Sequence, residues 1–282
     1  MKTLLIPVDF TPSTQNTINF AAEWAKKYEY ERVILLLSFY TSMYENVIMS
    51  EGYASMDQEY LNKIREDQKE MLNNLCRDLD EKTGHRIKVQ TAVSELPLIR
   101  SIMEVIRTEQ PIMILLGSDN YNNADESVIA QNVISIARIS PVRVLIVPKD
   151  YSYQPVHDAL VPCDFNAIES LDKINHLRTS SNWVNVQLMV LNVDAKKRYL
   201  NPDEKFKKAE KKLSGYLKNF IHKIFYISDK NVINGILDFT KTNKVQLIIA
   251  LPGQYSFLYK LTHKNVSEAL YRNARLPILI LK

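Results

Sequence analysis

The sequence predicts an α/β protein of two tandem domains, each a doubly wound, five-stranded parallel sheet with helices on both faces. Three observations carry that expectation. Three short segments recur in the same order in the two halves of the 282 residues. Near-continuous runs of Val, Ile and Leu suit strands buried on both faces, as a parallel sheet requires. Those runs alternate with amphipathic stretches of helical period.

The recurrence opens with Leu4-Leu5-Ile6-Pro7-Val8-Asp9-Phe10, which returns as Ala159-Leu160-Val161-Pro162-Cys163-Asp164-Phe165. The middle pair is Ile112-Met113-Ile114-Leu115-Leu116-Gly117 and Leu247-Ile248-Ile249-Ala250-Leu251-Pro252-Gly253. The last is Ala137-Arg138-Ile139-Ser140-Pro141-Val142-Arg143-Val144-Leu145-Ile146 against Ala274-Arg275-Leu276-Pro277-Ile278-Leu279-Ile280, one residue shorter before the proline. The spacing from Gly117 to Pro141 equals that from Gly253 to Pro277. A self-similarity of this length reads as a duplicated domain. Domain 1 is expected over 1–150 and domain 2 over 155–282, with the linker near Tyr151-Ser152-Tyr153-Gln154-Pro155.

In domain 1 the strands are expected at 3–8, 33–40, 87–93, 112–117 and 142–147. Helices are expected at 13–28, 57–82, 97–109 and 127–139. The first carries Ile18, Ala21, Ala22 and Ala25 at helical spacing, with Ser13 as its N-cap. The second is a long charged segment with Leu61, Ile64, Met71, Leu72 and Leu75. In domain 2 the strands fall at 158–162, 185–193, 223–228, 245–251 and 277–281. Its helices fall at 167–180, 202–222, 230–243 and 262–273. Residues 41–56 are an insertion without a counterpart in the second half, and Tyr40, Tyr44 and Tyr53 surround it. Such a loop is a place for a protein partner to bind, though surface loops often have no identifiable role.

Composition narrows the function. Hydrophobic residues make up 46% and charged residues 24%, and the net charge is +4, which gives no push toward nucleic acid. No apolar run is long enough for a membrane span, and the N-terminal one is too short for a signal peptide. Two isolated cysteines, Cys76 and Cys163, make neither a disulfide framework nor a zinc signature and fit a cytoplasmic protein. The histidines His85, His157, His176, His222 and His263 form no metal-ligand spacing, so no metal residue is expected. The lysines Lys205, Lys207, Lys208, Lys211 and Lys212 read as the solvated face of a helix whose other face carries Phe206, Ala209, Leu213, Tyr216, Leu217 and Phe220. No Ser-His-Asp or Cys-His arrangement is legible, so no catalytic residue is expected. The six glycines are scattered, whereas a loop that wraps phosphate needs them clustered.

Ligands of open parallel sheets bind beyond the carboxyl ends of the strands, where strand order reverses. Asp9 and Asp164 follow the first strand of each half, and Gly117 and Gly253 the fourth. The strand-Pro-Val-Asp pattern of Pro7, Val8 and Asp9, its counterpart at Pro162 and Asp164, and the closing Ala137 to Val147 stretch resemble the universal stress protein family, with its adenine-nucleotide alpha-hydrolase-like, Rossmann-like fold. The resemblance covers nearly the whole chain, twice. It implies that each aspartate contacts adenine and that a Gly-x2-Gly-x9-Gly-Ser/Thr loop holds ATP phosphates. It also implies two halves packed about a pseudo-two-fold axis through their last strands, Val142 to Val147 and Ile278 to Leu281.

Counting back from the proline, the first loop has Gly117, Asn120, Ala130 and Gln131, and the second has Gly253, Ser256, Val266 and Ser267. Only the first glycine of each survives, with the hydroxyl of Ser267. Asn and small Ser tolerate the turn, but a β-branched Val is disfavoured at positive φ. Asp119, Asp125 and Glu126 add negative charge to the first loop, while Lys260, His263 and Lys264 make the second the better anion site. A simpler role for Asp9 and Asp164 is to cap the next helix or turn, and for Gly117 and Gly253 to make a turn of positive φ.

The resemblance thus implies a non-catalytic, stress-linked binding or signalling module with degenerate loops. The alternative is an adenine-nucleotide binder, for ATP or AMP, with slow hydrolysis in domain 2. A receiver-type phosphorylation domain would need an acceptor aspartate after the third strand, where only Asp229 comes near. A homodimer and a protein partner of unstated identity complete the expectations.

Overall fold

The computed structural model describes residues 1–39, 58–119, 127–179, 181–251 and 275–282. The strands of the first half are β1 (Thr3–Val8), β2 (Arg32–Ser38), β3 (Lys88–Ser94), β4 (Met113–Ser118) and β5 (Arg143–Pro148). Its helices are α1 (Pro12–Lys27), α2 (Gln58–Lys82), α3 (Leu98–Glu109) and α4 (Val128–Ile139). The second half has β6 (Asp158–Pro162), β7 (Gln187–Val193), α5 (Glu204–Leu217), β8 (His222–Ile227), α6 (Val232–Thr242), β9 (Leu247–Ala250) and β10 (Ile278–Ile280). The expected insertion at 41–56 and helix at 262–273 lie outside the described residues.

All ten strands join one sheet in the order β3-β2-β1-β4-β5-β10-β9-β6-β7-β8. Each half is parallel throughout, and its order reverses between β1 and β4 or between β6 and β9. The seam is antiparallel, with Ile278 opposite Ile146, Leu279 opposite Leu145 and Ile280 opposite Val144. The two last strands therefore cover each other's apolar edges. The sheet's outer edges are β3 and β8, both half-exposed and carrying polar residues such as Lys88, Gln90 and Lys223.

The strands alternate their side chains between two cores, as a period of two dictates. On one face Leu4, Ile6, Leu35, Leu145, Val161, Val190 and Leu279 pack under α1, α2, α5 and the segment 165–179. On the other, Leu5, Leu36, Ile114, Ile146, Leu160 and Ile248 pack under α3, α4 and α6. Both cores run across the seam.

Three local expectations need correction. Ser13 is not the N-cap of α1: Thr11 holds that position, because Pro12, with its fixed φ, begins the helix. Residues 165–179 wind in tight 3₁₀ turns rather than as an α-helix. Phe165, Ile168, Leu171, Ile174 and Leu177 are all buried and recur every third residue. That spacing keeps one face apolar at three residues per turn and would drift around an α-helix. Finally, α5 ends at Leu217 and β8 begins at His222, so the expected helix over 202–222 overran into the next strand.

Candidate functional site

The crevice of the first half lies where β1 and β4 diverge, and Asp9 stands at its centre. Pro7 is buried within β1 opposite Leu36, so the aspartate follows a strand end held against β2. Asp9 Oδ1 accepts from the hydroxyls of Thr11 (2.7 Å) and Thr14 (2.6 Å), and from the Thr11 amide at 3.4 Å. Its Oδ2 reaches across the crevice to accept from the Ser127 hydroxyl at 2.6 Å and the Ile129 amide at 3.2 Å. Ser127 is the N-cap of α4 and its own Oγ accepts from the Ala130 amide at 3.0 Å.

A helix N-terminus presents unpaired amides and the positive end of the dipole, so it attracts anions. Here the anion is supplied by the chain. The Asp9 carboxylate sits where the phosphate loop of the resemblance would deliver its last amides. Ala130 is buried in α4 and adds a methyl to that corner.

Gly117 is also explained without a ligand. It lies inside β4, and its φ is not positive, which corrects the strand-end turn. A Cβ there would stand 2.6 Å from Thr17 Oγ1 and 2.8 Å from the Ser13 carbonyl of α1. The glycine lets α1 lie against β4. Ser127 and Ile129 were not singled out from sequence, since their contacts with Asp9 join residues more than a hundred positions apart, and Thr14 was passed over although it lies five positions away.

In the second half Pro162 ends β6 opposite Leu191, and Asp164 follows, half-buried. A second carboxylate, not anticipated, dominates this end of the sheet. Asp194 is buried after β7 and takes a forked pair from Arg198, Nε to Oδ2 at 3.0 Å and Nη2 to Oδ1 at 3.2 Å. The amides of Arg198 and Lys196 add bonds of 2.8 and 3.2 Å. Burial works to raise the Asp194 pKa, but these donors outweigh it and hold the carboxyl below its usual range. The charges of Asp203 and then Asp164 favour the Arg198 cation too, so three acids act on the guanidinium. The i, i+4 pair Asp194/Arg198 was the available sequence signal. Asn192 of β7 donates to the Cys163 carbonyl at 3.0 Å. Burial pushes the Cys163 thiol up to about 12, with the Asp164 charge adding to it, so this cysteine is inert. Gly253, Lys264 and Ser267 lie outside the described residues, as do Asn120, Ser256 and Val266.

Among the described residues no helix is long and apolar enough to cross a membrane. Asp229 accepts from the Asn231 amide at 2.7 Å, a local turn contact.

Comparison with known proteins gives a consistent family and fold. Residues 1–148 match the universal stress protein family. No curated protein matches the chain. Among solved structures, a universal stress protein from Archaeoglobus fulgidus DSM 4304 is 14% identical with a TM-score of 0.67, covering 99% of this chain and 98% of its own. A functionally unknown protein from Pseudomonas aeruginosa PAO1 is 12% identical with a TM-score of 0.56, over 100% and 92%. The cytoplasmic domain of a prokaryotic cation chloride cotransporter is 12% identical with a TM-score of 0.54, over 99% and 94%. At these identities the likeness extends to the fold.

Proposed function

This chain belongs to the universal stress protein family, and from that premise we propose that it is a tandem stress-response binding or signalling module, not a nucleotide-dependent catalyst. Its domains are residues 1–150 and 155–282, and it acts in the cytoplasm. The observation that carries the reading is the Asp9 carboxylate at the N-terminus of α4, bonded to Ser127 and Ile129. It neutralises the helix end internally and turns a ligand crevice into a structural clasp. Gly117 supports the same view, because packing against α1 accounts for it.

The reading is tested by calorimetry with ATP and AMP on the purified full chain. Binding no tighter than about 1 mM is expected. Micromolar binding abolished by Ser267→Ala would replace it with the other reading: an adenine-nucleotide binder with slow hydrolysis in domain 2, using Asp164, Gly253, Lys264 and Ser267. Mass spectrometry of ligands released from denatured protein gives an independent check.

A further inference from the structure

Beside the seam, on the face that carries α1 and the segment 165–179, the two halves enclose a cleft of about 180 Å³. Trp24, Tyr28 and Tyr30 come from the first half and Leu177, Trp183 and Leu279 from the second. The rings form a continuous wall: Trp24 and Tyr28 centroids lie 4.1 Å apart, and Tyr28 and Trp183 5.4 Å. Two cations close the cleft, Lys2 and Arg143.

Neither cation has a carboxylate partner among the described residues. Lys2 Nζ donates to the Tyr28 carbonyl and sits 5.0 Å over the Tyr30 ring. Arg143 donates from Nη2 to the His176 carbonyl at 2.9 Å, bridging to the second half. Burial pushes both pKa values down. For Lys2, Arg143 pushes further down, while Glu29 and Glu31 oppose it without touching the ammonium. Two half-buried cations that repel each other are stabilised by an anion between them. A third feature points the same way. Trp24 is fully buried, and its indole N–H lies beside the Tyr30 hydroxyl without a well-formed hydrogen bond to it. Buried donors are normally well paired, so this one leaves room for an acceptor on a ligand.

The lining selects the ligand. An apolar cavity of roughly 150 Å³ holds one benzene ring. Aromatic walls favour a flat ring through offset and edge contacts, and the cations favour a negative group on it. We propose that this cleft binds a small aromatic carboxylate, its ring among the side chains of Trp24, Tyr28 and Trp183 and its charge beside Lys2 and Arg143. The site is distinct from both crevices and exists only when the two halves are docked.

The chain has two tryptophans, and both line the cleft, so intrinsic fluorescence reports on it directly. Benzoate is the probe, titrated into the full chain with calorimetry in parallel, and benzamide is the neutral control. Saturable quenching with a Kd of about 1 mM or tighter is expected. Benzamide, and benzoate with Arg143→Gln, should bind at least about tenfold more weakly. Absence of saturable binding overturns the proposal, and so does equal affinity for benzamide, which marks an apolar cavity only. Should Arg143→Gln lose its fold by circular dichroism, Lys2→Gln decides: weaker benzoate binding with a native spectrum supports the site, and unchanged binding sinks it.

Discussion

Replacing Asp9 by Asn tests whether its carboxylate holds the first crevice shut. Asn keeps one carbonyl oxygen, so the bonds from Thr11 and Thr14 to Oδ1 survive. The new amide takes the place of Oδ2 and meets the Ile129 N–H, donor against donor. Ser127 escapes, because its hydroxyl oxygen can accept from the amide. The loss is then one charge-assisted bond whose donor is left buried, worth about 1.5–3 kcal/mol. Removing a negative charge from a helix N-terminus adds about 0.3–1 kcal/mol. The sum is about 2–4 kcal/mol, read as a lower urea midpoint at unchanged slope. Asp9→Ala goes further and leaves the helix end open to outside anions. Phosphate should then stabilise the variant beyond any general salt effect on the wild type, by about 2.7 kcal/mol at a hundredfold excess over its Kd. A midpoint for Asp9→Asn within about 0.5 kcal/mol of wild type, or equal phosphate responses in Asp9→Ala and wild type, would refute the clasp.

Gly117→Ala should cost about 1–3 kcal/mol by overpacking. Adding Thr17→Ala should recover only part, since the Ser13 carbonyl still stands 2.8 Å from the new methyl; urea melts of the single and double variants measure both. Ile174→Ala, at a fully buried position on the 3₁₀ face, should lose about 2–5 kcal/mol by the same assay. Burial pushes Tyr30 up to about 12 from 10.0, and does the same for Tyr151 and Tyr153. The unfolded chain releases these protons first, so it binds fewer of them and stability must fall between about pH 10 and 12. Absorbance at alkaline pH should show these phenols ionising only as the protein unfolds. Iodoacetamide at pH 8 should label half-buried Cys76 before Cys163, whose thiolate is scarce; peptide mapping reads the order.

Local sequence carried most of the fold and little of the site. The strands were legible because burial on both faces leaves unbroken Val, Ile and Leu runs, and the duplication made each run count twice. Edge strands β3 and β8 were readable too, despite their polar residues, from their place in the alternation. The period of three from Phe165 to Leu177 was visible in the letters, yet it was read as helical because 3₁₀ runs of that length are uncommon. Asp9 was found with part of its role, the cap of its own turn through the Thr11 amide, but without its bond across the crevice, and Gly117 was found as a position only. The carboxylate's partner lies 118 residues away, and the reason for the glycine is a helix crossing it. Nothing local marks Lys2, Trp24, Arg143 and Trp183 as neighbours, because only docking the two halves assembles them.

The antiparallel seam bears on that cleft in one further way. In the alignment of the two halves, Arg143 corresponds to Leu279, and both line the cleft. A homodimer of one domain would place the same residue at both positions by symmetry. Two arginines would meet at the axis, or two leucines, and neither arrangement sets an arginine opposite a leucine. Joining the copies in one chain removes that constraint. Each copy can then vary alone, so a clasped crevice in one half and a shared cleft whose two cations, Lys2 and Arg143, both come from that half become accessible to a protein that began as two equal parts.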